Sequence, residues 1–439
     1  MTFPRYPKYK STGVEWLGEV PEHWEVVPVR SIVAEQAAKN EGTVDSNYLS
    51  LMANVGVILY ADKGDVGNKK PEDLSKCKHV SEGDFVINSM NYGIGSYGVS
   101  PYKGICSPVY IVLRPNLATV VPPFAFRIFE NKAFQTYAQS FGNGILEHRC
   151  AINWDILKCI GVGVPSRSEQ TAIHEFLLTE TSKIDALVSE QEHLIALLKE
   201  KRQAVISHAV TKGLSPNVKM KPSGVEWLGD VPDHWEAKRI KFVVSMKSGG
   251  TPSKEVRAFW DGAVPWASAK DLKVDHLHDT QDHITQHAID SGAAELVASG
   301  AVLIVVRGMI LLHSFPVTTA VVPMAINQDL KAVVGRDGIH NEFVAWVLRG
   351  STSESLRLSD EAGHGTKVIR MDAWAQMVVP VPPSDEQQSI AAFLDRVTAQ
   401  LDVLSSEAER AIDLLKERRS ALISAAVTGQ IDVRGAVPA

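Results

Sequence analysis

Cysteine is scarce in this sequence, and its spacing is not that of a metal site. The four cysteines are Cys77, Cys106, Cys150 and Cys159. No two of them form a CxxC pair or another zinc-ligand spacing, which argues against a cysteine-ligated zinc site. We therefore predict reduced thiols, as expected of a cytoplasmic protein.

Long apolar runs are missing as well. No run reaches the roughly 18 residues that a membrane-spanning helix needs, and the first residues, MTFPRYPKYKST, lack the apolar core of a signal peptide. Hydrophobic residues nevertheless make up 45% of the 439 residues. This content allows sizeable cores in about two to four domains.

An excess of positive charge is also absent. The formal net charge is −6, residues 25–164 carry 13 basic and 13 acidic residues, and residues 222–381 carry 15 and 19. Because phosphates attract positive potential, this balance disfavours a generally basic nucleic-acid-binding surface. Binding to DNA would require local basic patches or a more basic partner.

Intact catalytic motifs are missing too. The stretch Pro232–Lys238 resembles the PD…ExK pattern of metal-dependent nucleases, but its spacing is too tight for two metal carboxylates on adjacent strands. Val121–Phe124 resembles the NPPF loop of amino-methyltransferases, yet Val121 has no side-chain acceptor for a target amine. No glycine-rich loop has the context of a nucleotide or S-adenosylmethionine site, and no Walker lysine is present. We predict no catalytic residue and no metal site.

What the sequence does contain is a long helical stretch, Ser168–Val210, without glycine or proline. At 1.5 Å per residue such a helix would be roughly 60 Å long. Its apolar residues recur at heptad spacing and predict a narrow seam for one partner helix. The predicted seam residues are Ile173, Leu177, Ile184, Leu187, Leu194, Leu198 and Val205.

The same helix recurs 217 residues later, at the end of the chain, with the heptad register kept. The second predicted seam is Ile390, Leu394, Val397, Leu401, Leu404, Leu415 and Leu422. Lys201 and Arg418 are predicted to occupy equivalent seam positions. Two single-seam helices in one chain predict an intramolecular coiled coil, and the alternative is two unrelated surface helices.

A second repeat precedes each half of the chain. Ser11–Trp24 reads STGVEWLGEVPEHW, and Pro222–Glu236 reads PSGVEWLGDVPDHWE. We call these the GVEW segments. Their tryptophans, with glycine and proline between, indicate a loop anchored by aromatic packing on a neighbouring domain, and the alternative is a docking site for another protein. The chain is therefore a duplication rather than a solenoid.

The two middle regions, 25–164 and 236–381, share a pattern but little sequence. Predicted strands are Asp84–Asn88, Val109–Leu113, Ala301–Val306, Ala320–Val322 and Lys331–Val334, and predicted helices are Pro123–Gln139 and Glu342–Arg349. The glycine-rich stretch Asn88–Gly98 is either a binding loop, where small residues permit close approach, or an ordinary turn.

Together these features resemble the specificity (S) subunit of type I restriction-modification enzymes, over nearly the whole chain. The residues that carry the resemblance are the GVEW segments; the helix starts Pro165, Ser166, Glu169, Gln170 and Pro383, Ser384, Glu386, Gln387; the helix ends Leu198–Arg202 and Leu415–Arg419; and Gly250–Pro252 with Trp260, Pro265 and Trp266. The gap within the helix starts differs by one residue between the copies.

The resemblance implies an α+β fold with a pseudo-two-fold repeat. Two globular, β-rich target-recognition domains with short helices would be joined by two long helices in an intramolecular antiparallel coiled coil. The predicted boundaries are 1–24 for the N-terminal segment, 25–164 for the first target-recognition domain, 165–221 for the central long helix and linker, 222–381 for the repeated segment with the second domain, and 382–439 for the C-terminal long helix.

The resemblance also implies a role. Each domain would read one half of a bipartite double-stranded DNA site, and the helices would set the spacing and dock two methyltransferase (M) subunits, with restriction (R) subunits joining. The chain would be the non-catalytic subunit of a type I site-specific deoxyribonuclease and adenine-specific DNA methyltransferase. It would hold no cofactor, since S-adenosylmethionine, ATP and Mg²⁺ would belong to the partner subunits.

Candidate DNA contacts follow from the residue types that bind phosphates and base edges. In the first domain they are Lys69, Lys70, Asn88, Asn91, Tyr92, Ser96, Tyr97, Lys103 and Arg149. In the second domain they are Lys247, Ser248, Thr251, Lys254, Arg307, Gln328, Lys367 and Arg370. Two other functions stay open at this point: a self-contained DNA modification or cleavage enzyme, and a coiled-coil protein that bridges other proteins without touching DNA.

Overall fold

The structure is a computed structural model and describes residues 3–41, 47–66, 69–142, 151–361 and 365–435. The chain divides into two compact units: unit 1, Met1–Glu192 with Arg410–Ala439, and unit 2, His193–Glu409. The division falls inside the two long helices. In the described ranges, no helix is long and apolar enough to cross a membrane.

Unit 1 consists of short strands followed by helices. Its strands are β1 (Tyr9–Ser11), β2 (Glu19–Pro21), β3 (Glu25–Pro28), β4 (Val33–Glu35), β5 (Leu49–Met52), β6 (Gly56–Leu59), β7 (Lys78–Val80), β8 (Phe85–Asn88), β9 (Tyr97–Val99), β10 (Gly104–Cys106), β11 (Tyr110–Pro115) and β12 (Gly161–Val164). Its helices are α1 (Pro122–Glu130), α2 (Lys132–Ser140), α3 (Trp154–Leu157) and the first part of α4 (Arg167–Lys212), with 3-10 turns at Val29–Ser31, Tyr60–Lys63 and Tyr92–Ile94.

An antiparallel sheet in the order β4-β11-β8-β9 forms the centre of unit 1. Strand β8 is buried along its whole length, and α1 buries Phe124, Ile128 and Phe129 in the same core. The predicted helix Pro123–Gln139 is interrupted at Asn131. There the backbone is extended, and the Asn131 side chain accepts hydrogen bonds from the first amides of α2, which is N-cap geometry.

Unit 2 contains more strands. They are β13 (Met220–Pro222), β14 (Asp230–Pro232), β15 (Glu236–Arg239), β16 (Val244–Ser248), β17 (Trp260–Ala267), β18 (His276–Leu277), β19 (Asp282–Ile284), β20 (Leu296–Val297), β21 (Val302–Val305), β22 (Arg307–Gly308), β23 (Val317–Ala320), β24 (Met324–Ile326), β25 (Leu330–Gly335), β26 (Ser359–Glu361), β27 (Lys367–Ile369) and β28 (Val378–Val381). The helices are α5 (Ile240–Val243), α6 (Gln286–Asp290), α7 (Asn341–Gly350), α8 (Thr352–Arg357), α9 (Met371–Trp374) and α10 (Ser384–Val427), with 3-10 turns at Arg257–Phe259 and Met309–Leu312.

The main sheet of unit 2 repeats that of unit 1. Its order is β16-β25-β21-β23-β18, so the first four strands correspond to β4-β11-β8-β9, and α7 follows β25 as α1 follows β11. The strands predicted at Ala301–Val306 and Lys331–Val334 and the helix at Glu342–Arg349 are confirmed. The strand predicted at Ala320–Val322 is wrong, because the chain pairs over Val317–Ala320 and turns before β24.

The long helices pair within each unit. In unit 1, Ile173 and Leu177 of α4 share a core with Leu422 and Ile423 of α10. In unit 2, the later part of α4 shares a core with the beginning of α10. The start of one helix therefore packs near the end of the other, so the pair is antiparallel, and the predicted fold class, an α+β protein with a coiled coil, is confirmed.

Three predicted seam residues lie outside the seam. Leu187, Leu194 and Leu404 are 44%, 41% and 47% exposed, and Lys201 and Arg418 are exposed too. Each of these five residues lies one position before a seam residue, which is Val188, Ile195, Arg202, Ser405 or Arg419.

The seam positions alternate by four and three residues. On α4 they are Leu177, Thr181, Ile184, Val188, Gln191, Ile195, Leu198, Arg202, Val205 and Ala209, all buried or half-buried. On α10 they are the residues 217 positions later, Leu394, Thr398, Leu401, Ser405, Ala408, Ile412, Leu415, Arg419, Leu422 and Ala426, likewise buried or half-buried. The other predicted seam residues, Ile173, Ile390 and Val397, are buried or half-buried beside them.

Candidate nucleic-acid interface

A buried glutamate at the start of α4 holds the first GVEW segment. Glu169 accepts hydrogen bonds from the Tyr6 hydroxyl (2.6 Å) and the Trp24 indole (3.0 Å), and His23 Nε2 lies 2.9 Å from its other oxygen. Burial, followed by the hydrogen bond to Glu169, raises the pKa of Tyr6 well above its usual value. Trp24 is fully buried, so the segment packs on its own unit.

Glu386, at the start of α10, has the corresponding role in unit 2. It accepts a hydrogen bond from the Trp235 indole at 2.9 Å, and His234 Nε2 lies 2.5 Å from its other oxygen. The site is more open, since the Glu386 side chain is 38% exposed whereas that of Glu169 is 3% exposed. The two GVEW segments are thus fastened in the same way but unequally.

The next residue of each helix fastens the domain. Gln170 accepts from the Val121 amide at 2.7 Å and donates to the Pro165 carbonyl at 3.0 Å. Gln387 accepts from the His340 amide at 2.9 Å and donates to the Pro382 carbonyl at 2.9 Å. Val121 and His340 are the N-caps of α1 and α7, so the Glu-Gln pair ties both the GVEW segment and the domain to its helix.

In unit 2 the candidate DNA-binding residues lie around the turn between β24 and β25. The Thr251 hydroxyl hydrogen-bonds the Gln328 side chain, and the Gly250 amide donates to the Ile326 carbonyl at 2.9 Å. A Cβ on Gly249 would overlap the carbonyl oxygens of Ile326 and Asn327. Glycine is therefore required where this loop approaches the turn.

Cationic side chains flank this turn. Ser248 and Lys331 are opposite each other on β16 and β25, and Lys331 Nζ donates to the Ser248 hydroxyl at 2.8 Å. Arg307 is exposed, its amide donates to the carbonyl of Asp329, and its strand pairs with β27, which carries Lys367. Lysine and arginine at such a surface provide the local positive potential that DNA binding requires.

The remaining candidates of unit 2 are placed less closely. Lys247 is exposed on β16, and Lys254 is exposed in the segment after Thr251. Arg370 is exposed and forms an ion pair of 3.5 Å with Asp360. Lys331 was not among the predicted contacts. Its alternation with the buried Leu330 and Ala332 could have indicated a side chain on the outer face of the strand.

In unit 1 the glycine-rich stretch is largely structural. Tyr92 is fully buried and its hydroxyl donates to the Phe129 carbonyl at 2.6 Å. Asn88 and Ser96 are buried, and Asn88 accepts from the Met90 amide. Burial disfavours direct base contact by these three residues. Tyr97 packs edge-on against Tyr92.

The other candidates of unit 1 are more accessible. Lys69, Lys70 and Lys103 are exposed, and Asn91 is half-buried. Arg149 lies outside the described residues. All of these assignments stay predictions.

Within the residues that the structure describes, no group of three histidine, cysteine, aspartate or glutamate side chains is placed to hold a metal ion. Burial raises the pKa of the Cys106 thiol to about 12, which makes it a poor nucleophile.

Comparisons with known proteins show what this chain is similar to. Residues 232–411 match the family model of the type I restriction modification DNA specificity domain. The chain is 30% identical over 184 residues to the EcoR124I/EcoR124II specificity subunit of Escherichia coli, a match that covers 42% of this chain and 46% of that subunit. It is 22% identical over 457 residues to the putative MjaX specificity subunit of Methanocaldococcus jannaschii, covering 99% of both.

Solved structures show the same fold. A chain from a study of assembly and conformational transition in the type I R-M system matches with a TM-score of 0.71, at 16% identity, over 93% of this chain and 98% of that one. The HsdS subunit from Thermoanaerobacter tengcongensis matches with a TM-score of 0.52, at 17% identity, over 94% and 98%. The match to the Escherichia coli subunit spans less than half of that subunit's length.

Proposed function

We propose that this chain, which belongs to the family of type I restriction-modification specificity subunits, reads a bipartite DNA site. Each unit would recognise one half-site, and the paired helices would set the spacing between the half-sites. The observation that carries the proposal is the duplicated framework, by which we mean the two GVEW segments and the two long helices α4 and α10. The Glu-Gln pairs at the helix starts fasten two domains that share a sheet but little sequence, as expected if the framework is constant and the recognised bases differ.

The partners follow from the same proposal. Two methyltransferase subunits would dock on the helix pair and restriction subunits would join them, so that S-adenosylmethionine, ATP and Mg²⁺ act in those subunits in the cytoplasm. Exposed leucines recur at the 217-residue offset, Leu187 with Leu404 and Leu197 with Leu414. Apolar side chains repeated on a helix surface are typical of a protein interface. This chain would contribute recognition and no catalysis.

Methylome sequencing tests the role directly. Cells that carry this gene with its neighbouring genes are compared with cells in which this gene alone is deleted. We expect a bipartite adenine-methylated motif that disappears on deletion. If methylation is unchanged although a methyltransferase subunit is expressed and co-purifies with this chain, the proposal is refuted.

Arg307 tests the surface of unit 2. A bidentate arginine–base contact contributes about 1–3 kcal/mol of discrimination, so Arg307→Ala should weaken binding by that amount and relax one half of the motif. Gel-shift titration of the complex with its methyltransferase subunit measures the affinity. The control is Arg336→Ala on the same unit. The Arg336 side chain donates to the Val244 carbonyl, so its loss should leave the motif unchanged. Unchanged affinity and unchanged motif in Arg307→Ala would remove this residue from the interface.

A further inference from the structure

Two arginines occupy the same seam position of the two long helices. Arg202 on α4 and Arg419 on α10 are separated by 217 residues, the repeat offset, and Asp185 and Asp402 are related by the same offset. A charged residue in a coiled-coil seam costs stability unless it is paired, and it then specifies register.

In unit 1, Arg419 joins three elements. Its Nε donates to Asp185 of α4 at 3.0 Å, and its Nη1 donates to Glu130, the last residue of α1, at 2.9 Å. Burial opposes the charge on this guanidinium, but the two carboxylates outweigh it and raise the pKa of Arg419. Arg127 forms a further ion pair with Glu130, so that two arginines and two acids balance.

In unit 2, Arg202 makes the equivalent connections. Its Nη2 donates to Asp275, in the loop before β18, at 2.7 Å, and its Nε lies 3.4 Å from Asp402 of α10, an ion pair without hydrogen-bond geometry. Arg349 of α7 completes this cluster, with its Nε 3.3 Å from Asp275. Again two arginines and two acids balance.

The domain-side acids come from different places in the two copies. Glu130 ends a helix, whereas Asp275 lies in a loop, and the repeat alignment does not relate them. The helix-side arginine and aspartate are kept while the domain supplies its own carboxylate. Such a contact connects helices that are the same in both copies to domains that differ between them.

We propose that Arg202 and Arg419 are positioning residues that fix each domain against the helix pair and thereby fix the spacing of the half-sites. The inference rests on the proposed function, because the spacing has meaning only if the units read DNA. The arginines touch no base; they act through the orientation of the domains that do. A loosened joint would let a domain reach half-sites at other separations.

The test measures spacing preference. Plasmids carry the bipartite motif of the wild type with its native spacer, or with one base pair added or removed, in cells that express this chain with its methyltransferase subunit. We expect Arg419→Met and Arg202→Met each to lower the preference for the native spacer about tenfold, as the loss of one half-buried, charge-assisted hydrogen bond predicts. The matched controls are Arg418→Met and Lys201→Met, which replace the exposed cations next to each seam arginine.

Two further sets of variants separate spacing from folding. Asp185→Asn and Asp402→Asn change half-exposed side chains and keep the test valid if the arginine variants do not accumulate. Their spacing preference should fall in the same direction. A variant that merely loses stability would lower methylation at all three spacers together and leave their ratio unchanged, which would count against the proposal.

A charge exchange tests the domain contact. Arg419→Asp combined with Asp185→Arg restores the pair between the helices but places a carboxylate against Glu130. We expect the spacing preference to stay low, and full restoration would overturn the role of Glu130. If deletion of the wild-type gene removes no methylated motif, the proposed function is overturned, and this inference with it. A motif that is present but equally selective in all arginine and aspartate variants overturns this inference alone.

Discussion

The unequal fastening of the two GVEW segments makes a quantitative prediction. Glu169→Ala removes the acceptor for two buried donors, the Tyr6 hydroxyl and the Trp24 indole. A buried donor left without a partner costs about 1–3 kcal/mol, so two such donors should cost the segment about 2–6 kcal/mol of local stability. Glu386→Ala orphans one buried indole beside water-accessible groups and should cost about 1–2 kcal/mol.

Amide hydrogen exchange on the full chain is the suitable assay, because a protein with two units does not unfold as one two-state system whereas exchange reports local opening. Since 1.4 kcal/mol corresponds to a factor of ten, protection in the β1–β2 hairpin should fall by about 30-fold to about 20,000-fold in Glu169→Ala. Protection in β13–β14 should fall by about tenfold in Glu386→Ala. The control, Glu175→Ala, changes an exposed acid two turns along α4.

Equal losses in the two variants would refute the reasoning, since they would mean that burial of the carboxylate does not set the cost. Unchanged protection of β1–β2 in Glu169→Ala would refute it more directly. It would show that aromatic packing, rather than the three hydrogen bonds, holds the segment in place.

Three other outcomes are expected. Gly249→Ala should abolish recognition of the half-site that unit 2 is proposed to read, because its Cβ overlaps backbone oxygens, whereas Gly250→Ala has room and should keep the methylated motif. In a chain without Cys150, iodoacetamide should modify the exposed Cys159 before the buried Cys106, whose pKa is raised to about 12; mass spectrometry reads the order. Burial raises the pKa of Tyr92, so its contribution to stability is complete below about pH 10 and is lost as pH rises through the higher folded-state value; Tyr92→Phe should reduce alkaline unfolding measured by circular dichroism.

The framework could be predicted from the sequence because its residues recur in both halves of the chain. The helix start with Glu169 and Gln170 recurs as Glu386 and Gln387, and in both copies the glutamate accepts from a tryptophan indole and the glutamine from a domain amide. The 217-residue offset also contained the seam arginines, Arg202 and Arg419. The predicted seam does not include them, because its leucine spacing sets the phase one residue early and puts Lys201 and Arg418 in their place.

The candidate interface was harder to predict. In the sequence, Tyr92 and Tyr97 look like stacking residues in a glycine-rich loop. In the structure Tyr92 is buried, and its hydroxyl donates to the Phe129 carbonyl, 37 residues away. Gln328 and Thr251 come together across 77 residues. Composition shows which side chains are able to bind DNA, whereas sheet topology decides which of them are exposed together.

The two arginine clusters define what a domain must supply to join this framework. Gln170 or Gln387 accepts a hydrogen bond from a backbone amide, which nearly every residue type can donate. Arg419 or Arg202 needs only a carboxylate within reach. Glu130 and Asp275 meet that need from unrelated sequence positions. Because neither requirement involves the exposed residues around the β24–β25 turn or their counterparts, the proposed base contacts of a domain could change while its attachment stays the same. A domain that lacks the acid would leave a half-buried seam arginine without its domain-side partner, a cost of about 1–3 kcal/mol, and we expect such a domain to lose spacing preference before it loses its fold.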